Sequence, residues 1–97
     1  MERLLQHMEL PRENRYTVYT KSNCSYCRKV KTLLDPAETI YINCDAYIRD
    51  DREEFLRVMD TLTDRMHRTF PFVFHGHKFI GGCDDLELHV AFGGVGF

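Results

Sequence analysis

Apolar residues fall at helical spacing first at Leu4, Leu5 and Met8, ahead of Pro11 and Asn14, which predicts a short helix within an N-terminal extension of residues 1–14. Tyr16–Thr20 (YTVYT) is β-branched and aromatic throughout, the composition of a strand buried on both faces. Past Cys27, the residues Val30, Leu33 and Leu34 lie at i, i+3 and i+4, with Arg28, Lys29 and Lys31 opposite, until Pro36 stops the pattern. A helix therefore starts at Cys24-Ser25-Tyr26-Cys27. Residues 39–42 (TIYI) read as a second strand, with Asn43, Cys44 and Asp45 leading away from it.

Residues 50–54 (DDREE) gather carboxylates where a helix N-terminus favours them, and Phe55, Leu56, Met59 and Leu62 continue as one stripe. Two apolar triplets, FVF at 72–74 and KFI at 78–80, flank His75-Gly76-His77 and predict a β-hairpin. Gly81-Gly82 ends it. Asp84 or Asp85 is then expected to cap a last helix carrying Leu86, Leu88, Val90 and Phe92, and residues 93–97 to form a flexible tail. The order helix, β, α, β, α, β, β, α makes this an α/β chain. The crossover implies parallel strands and the hairpin an antiparallel pair, giving a four-stranded mixed sheet flanked by helices, with the short extra N-terminal helix ahead of it.

Ninety-seven residues suit one small core, placed here in residues 15–97. Seven Phe and five Tyr supply its bulk. The net charge of -2 and the scattering of Lys and Arg leave no basic stripe for nucleic acid. No apolar run approaches the roughly 18 residues that span a bilayer, and residues 1–10 are too polar and too short for a signal peptide. The expectation is a cytoplasmic protein with no nucleic-acid or membrane partner.

Of the four cysteines, Cys24 and Cys27 form a CxxC, which in a reducing compartment serves redox chemistry or metal binding. A zinc site needs a second pair. Position 47 is Tyr, three residues after Cys44, and Cys83 stands alone, so no metal ligands are assigned. Redox chemistry needs a thiolate, and an ordinary Cys with a pKa of about 8.5 is mostly protonated at neutral pH. Cys24 lies where a strand turns into a helix, so the unpaired N–H groups of the first turn, the helix dipole and Lys21 favour its anion. Cys27, one turn further in, is the better resolving thiol. Cys24 is thus the attacking cysteine. Cys44 reads as a small buried apolar residue.

Thr69-Phe70-Pro71 immediately precedes a strand, where a cis Phe70–Pro71 bond would make a tight turn. Three signatures then stand in order: Lys21-x-x-Cys24-Ser-Tyr-Cys27 before a helix, Arg68-Thr69-Phe70-Pro71 before a strand, and Gly81-Gly82-Cys83-Asp84-Asp85-Leu86. Together they resemble those of the glutaredoxin family over about residues 15–92. The resemblance implies a thioredoxin-like fold and a glutathione laid along the segment before a cis proline, its sulfur meeting Cys24. It assigns the glycine carboxylate to Lys21 and Arg68, the border of the sulfur to Tyr26 and backbone pairing to Phe70 within Thr69-Phe70-Pro71. The γ-glutamyl end falls to Cys83 and Asp84 beside Gly82, where a helix N-terminus offers N–H donors.

The chain departs from that pattern at three places. Phe70 stands where the family usually has Val, and the link of residues 62–68 is longer than usual, leaving Arg57 or Arg65 as candidates for the contact drawn from the second helix. Ser25 replaces the common Pro; some members with Ser here also hold a [2Fe-2S] cluster at a dimer interface, with glutathione completing its ligands. His75 and His77 straddle a hairpin turn and read as solvated; His7, His67 and His89 receive no role. The expectation is a monomeric glutathione-dependent thiol–disulfide oxidoreductase acting on disulfide-containing or glutathionylated proteins, ribonucleotide reductase being a common client of the family. A redoxin reduced by a flavoprotein reductase and an iron–sulfur carrier are the rival readings.

Overall fold

The computed structural model describes residues 7–93, so the helix expected around Leu4 and Leu5 and most of the expected tail lie outside the described residues. The elements are β1 (Tyr16–Thr20), α1 (Ser25–Leu33), β2 (Thr39–Asn43), α2 (Asp45–Leu62), β3 (Phe72–His75), β4 (Lys78–Gly81) and α3 (Cys83–Ala91), with a 3-10 turn at Pro36–Glu38. The sheet order is β2-β1-β3-β4. β1 pairs in parallel with β2, Tyr16 opposite Thr39, and antiparallel with β3, Tyr16 opposite His75; β3 and β4 close the hairpin.

A central position explains the composition of β1, because both of its faces are covered. Successive side chains point to opposite sides. Tyr19 joins Phe55, Met59, Phe72 and Phe74 in the core under α2, whereas Val18 and Val73 meet Val30, Leu34 and Leu86 under α1 and α3. The segment before β1 is tied down: Met8 is buried in the α2-side core, the Tyr19 hydroxyl donates to the Glu9 carbonyl at 2.7 Å, and the Arg12 N–H donates to Thr17 Oγ1 at 3.0 Å.

Two helix starts differ from the sequence expectation. α2 begins at Asp45, where the Asn43 side chain accepts the Asp45 N–H at 2.9 Å, and not at residues 50–54. The acidic cluster marks an interior break instead. Asp51 leaves the helical conformation (φ -161°, ψ 89°), and its carboxylate accepts the Glu54 N–H at 3.0 Å, so it caps the second segment of α2. α3 begins at Cys83 with Gly82 as its cap, so neither Asp84 nor Asp85 occupies the cap position. Asp85 serves from the third helical position, accepting the Gly82 N–H at 3.2 Å. Gly81, at φ 131°, makes the sharp entry; a side chain there would run into the Asp85 carboxylate.

Candidate active site

Asn23 adopts the left-handed conformation (φ 57°), which Asn tolerates, and turns the chain from β1 into α1. Cys24 follows as the helix cap in an extended conformation. Cys24 and Cys27 are joined as a disulfide with their Cα atoms 5.3 Å apart. The Cys27 N–H points at Cys24 Sγ across 3.2 Å, the first-turn donor that an anion on Cys24 needs after reduction. Cys24 is 8% exposed and Cys27 3%, so the predicted attacker is the more accessible residue.

The Phe70–Pro71 peptide is cis, and the Phe70 carbonyl oxygen lies 3.9 Å from Cys24 Sγ. The loop therefore borders the sulfur. Two hollows meet along it. One, of about 610 Å³, is lined by Lys21, Tyr26, Arg68, Thr69 and Phe70 and floored by Phe55. The other, of about 260 Å³, runs from Tyr26, Thr69, Phe70 and Pro71 to Gly82, Cys83 and Asp84. The residues that the resemblance assigns to glutathione thus line two adjoining hollows that share Tyr26, Thr69 and Phe70, together a groove with Cys24 and cations in the first and the α3 N-terminus in the second. Tyr26 stands out from it, 59% exposed. Arg68 is already paired: its guanidinium meets the Asp60 carboxylate through both nitrogens, the Nη2–Oδ2 contact being 2.9 Å.

The cation that α2 contributes to this groove is Arg52, and the candidates Arg57 and Arg65 are not. Ile48, Arg52, Phe55 and Leu56 stand at i, i+4, i+7 and i+8 and form the groove-facing stripe, a spacing present in the sequence. Arg57 falls off it. Arg65 instead reaches β4 and the start of α3: Nη2 donates to the Ile80 carbonyl at 2.7 Å and lies 3.8 Å from Asp85 Oδ2, and the guanidinium sits 4.8 Å over the Phe79 ring.

His67 also has a place that the sequence did not reveal. Its Nε2 lies 3.2 Å from the Pro71 carbonyl oxygen, its ring packs edge-on to Phe72 and Phe79, and it lines the same hollow as Cys83 and Asp84. The remaining thiols are quiet. Cys44 is fully buried, and burial, followed by the Asp45 charge, pushes its pKa up to about 12. Burial likewise raises Cys83, with Glu87 adding to the effect. His75 stacks on Tyr16 at 4.4 Å, His77 lies 3.4 Å from Glu13, and both are exposed. Among the described residues no three His, Cys, Asp or Glu side chains gather as metal ligands.

A disulfide at a helix N-terminus, facing a cis-proline loop on a mixed sheet, defines a thiol–disulfide oxidoreductase of thioredoxin-like fold. The family model for glutaredoxin matches residues 16–80, and the chain belongs to the glutaredoxin family. It is 40% identical to glutaredoxin 1 of Rickettsia bellii over 70 residues, covering 71% of this chain and 69% of the relative. It is 38% identical to a glutaredoxin of Ricinus communis over 76 residues, covering 78% and 72%. Among solved structures, a buckwheat glutaredoxin–glutathione complex superposes with a TM-score of 0.68 at 31% identity, covering 93% of this chain and 80% of that one.

Proposed function

We propose that the chain reduces protein disulfides and glutathione mixed disulfides, with glutathione as the electron donor. The observation that carries this reading is the groove formed at Cys24 by the two adjoining hollows. Glutathione bears a glycine carboxylate at one end and a carboxylate with an ammonium at the other. Lys21 and Arg52 supply cations for the first, with Arg68 held beside them by Asp60, and the α3 N-terminus with Asp84 supplies donors and a counter-charge for the second. The buckwheat relative is itself a complex with glutathione.

In the dithiol route the Cys24 thiolate attacks a target disulfide, forms a mixed disulfide and expels the other target sulfur as a thiolate. Cys27 then attacks Cys24 Sγ, closing the Cys24–Cys27 disulfide and releasing the second target thiol. Two glutathione molecules restore the dithiol, leaving as glutathione disulfide. In the monothiol route Cys24 takes the glutathionyl group from a glutathionylated protein, and a second glutathione removes it. Only the dithiol route needs Cys27.

The Cys27 N–H aimed at Cys24 Sγ matters because thiolate must form near neutral pH, and each pKa unit of depression corresponds to about 1.36 kcal/mol of preference for the anion. The test is turnover of a small glutathione mixed disulfide coupled to glutathione reductase. Activity is expected in the wild type and Cys27→Ser and is expected to vanish in Cys24→Ser. A folded wild type that turns over only with a flavoprotein thioredoxin reductase contradicts glutathione as the donor.

A further inference from the structure

A second cleft opens on the α1 side of the disulfide. It measures about 230 Å³ and is lined by both redox cysteines together with Lys21, Arg28 and Lys31, and no carboxylate is among its lining residues. In a chain with 15 acidic and 13 basic residues, such a run of one sign beside the reacting sulfurs is a local departure from the average. The Lys21 charge reaches Asp45, whose carboxylate is held by the Ser22 N–H at 2.9 Å and the Ser22 hydroxyl. Arg28 and Lys31 sit one turn apart on α1, and Lys31 rests over the Tyr41 ring at 5.2 Å. Lys29, between them in sequence, is paired with Glu87 of α3 at 3.1 Å.

We infer that this cleft docks an acidic stretch of the target protein flanking its disulfide, an inference that rests on the disulfide-reductase reading above. The glutathione groove runs along the cis-proline loop; this cleft shares Lys21, Asn23 and Cys24 with it and adds Cys27. A target chain leaving Cys24 through the cleft keeps the other side free for the incoming reductant. Its carboxylates meet Arg28 and Lys31, which raises the encounter rate and favours targets whose cysteines have acidic neighbours over basic ones. The exchange itself is unchanged: Cys24 and Cys27 lose two electrons as their disulfide forms, and the target sulfurs gain them and are protonated from solvent.

The experiment is single-turnover reduction of peptide disulfides by pre-reduced protein, which needs no glutathione, with Glu-flanked and Lys-flanked peptides and with wild type and Arg28→Gln/Lys31→Gln. The wild type is expected to prefer the acidic peptide, and the double variant to lose about tenfold on it while losing nothing on the basic peptide. Turnover of a small glutathione mixed disulfide is expected to stay at the wild-type rate. Equal rates on the two peptides overturn the inference. So does equal slowing of the small substrate, which would make the cleft a site for glutathione carboxylates or a support for the thiolate. Failure of glutathione as donor leaves this single-turnover result intact and is seen separately in the reductase-coupled assay.

Discussion

Phe55 is the residue on which both the fold and the groove lean. It is fully buried in α2, its ring stacked against Tyr47 at 6.1 Å and Phe70 at 5.7 Å and edge-on to Phe72 at 6.2 Å. Removing a buried Phe side chain costs about 3–5 kcal/mol, the transfer of the ring plus the cavity it leaves. Three aromatic neighbours, each pair worth about 0.5–1.5 kcal/mol beyond area burial, place Phe55→Ala toward the upper end. Against a total of about 5–15 kcal/mol, that is a large share of the stability. Urea unfolding followed by circular dichroism suits a chain without Trp, and the expected result is a lower midpoint with an unchanged slope. Because the same ring floors the groove beneath Phe70, the variant is also expected to raise the KM for glutathione at temperatures where it stays folded. A loss below about 2 kcal/mol would refute the packing argument, since it would fall under the range for a fully buried ring.

Stability is expected to fall as pH drops below about 6.5, the free histidine value, because His89 is buried against the Tyr16 hydroxyl at 3.0 Å. Burial first, then the charges of His75 and Lys78, lower its folded pKa, so the unfolded chain takes the proton first and the loss continues until pH passes the folded value. His89→Gln should flatten that stretch of the profile measured by thermal unfolding. Asp51→Ala removes the interior cap of α2 and should cost about 1 kcal/mol in urea unfolding, with a rise in the KM for glutathione as Arg52 loses its fixed position. In the reduced native protein, limited alkylation with iodoacetamide at neutral pH should label Cys24 and spare Cys44, whose thiol is buried with a pKa of about 12; peptide mapping reads the outcome.

What the sequence disclosed and what it concealed divide along local and tertiary lines. β1, the hairpin and the start of α1 announce themselves through short-range composition and turn chemistry, and the CxxC sits at the helix entry that its spacing from YTVYT predicts. The start of α2 does not: Asn43 accepts the Asp45 N–H locally, but the Asp45 side chain is secured by Ser22 from the loop after β1, 23 positions away. The acidic cluster at 50–54 was a true cap signal attached to an interior break. Arg52 lay on a readable stripe with Ile48 and Phe55, but only a helix that begins before the cluster makes that stripe visible. Arg65 and His67 owe their places to the Ile80 and Pro71 carbonyls, contacts that no periodicity encodes. The entry to α3 turns on Gly81, whose positive φ only glycine adopts readily, and the cap falls at Gly82, two residues ahead of the first aspartate.

The central claim is that glutathione lies in the groove between the Lys21, Arg52 and Arg68 cations and the α3 N-terminus with its sulfur at Cys24. The most direct measurement is an amide chemical-shift map of Cys27→Ser carrying glutathione as a mixed disulfide on Cys24, set against the same reduced variant. The account predicts shifts at Lys21, Arg52, Thr69, Phe70, Cys83 and Asp84, at both ends of the groove. Shifts confined to the turn around Cys24, with the two ends unmoved, would contradict it.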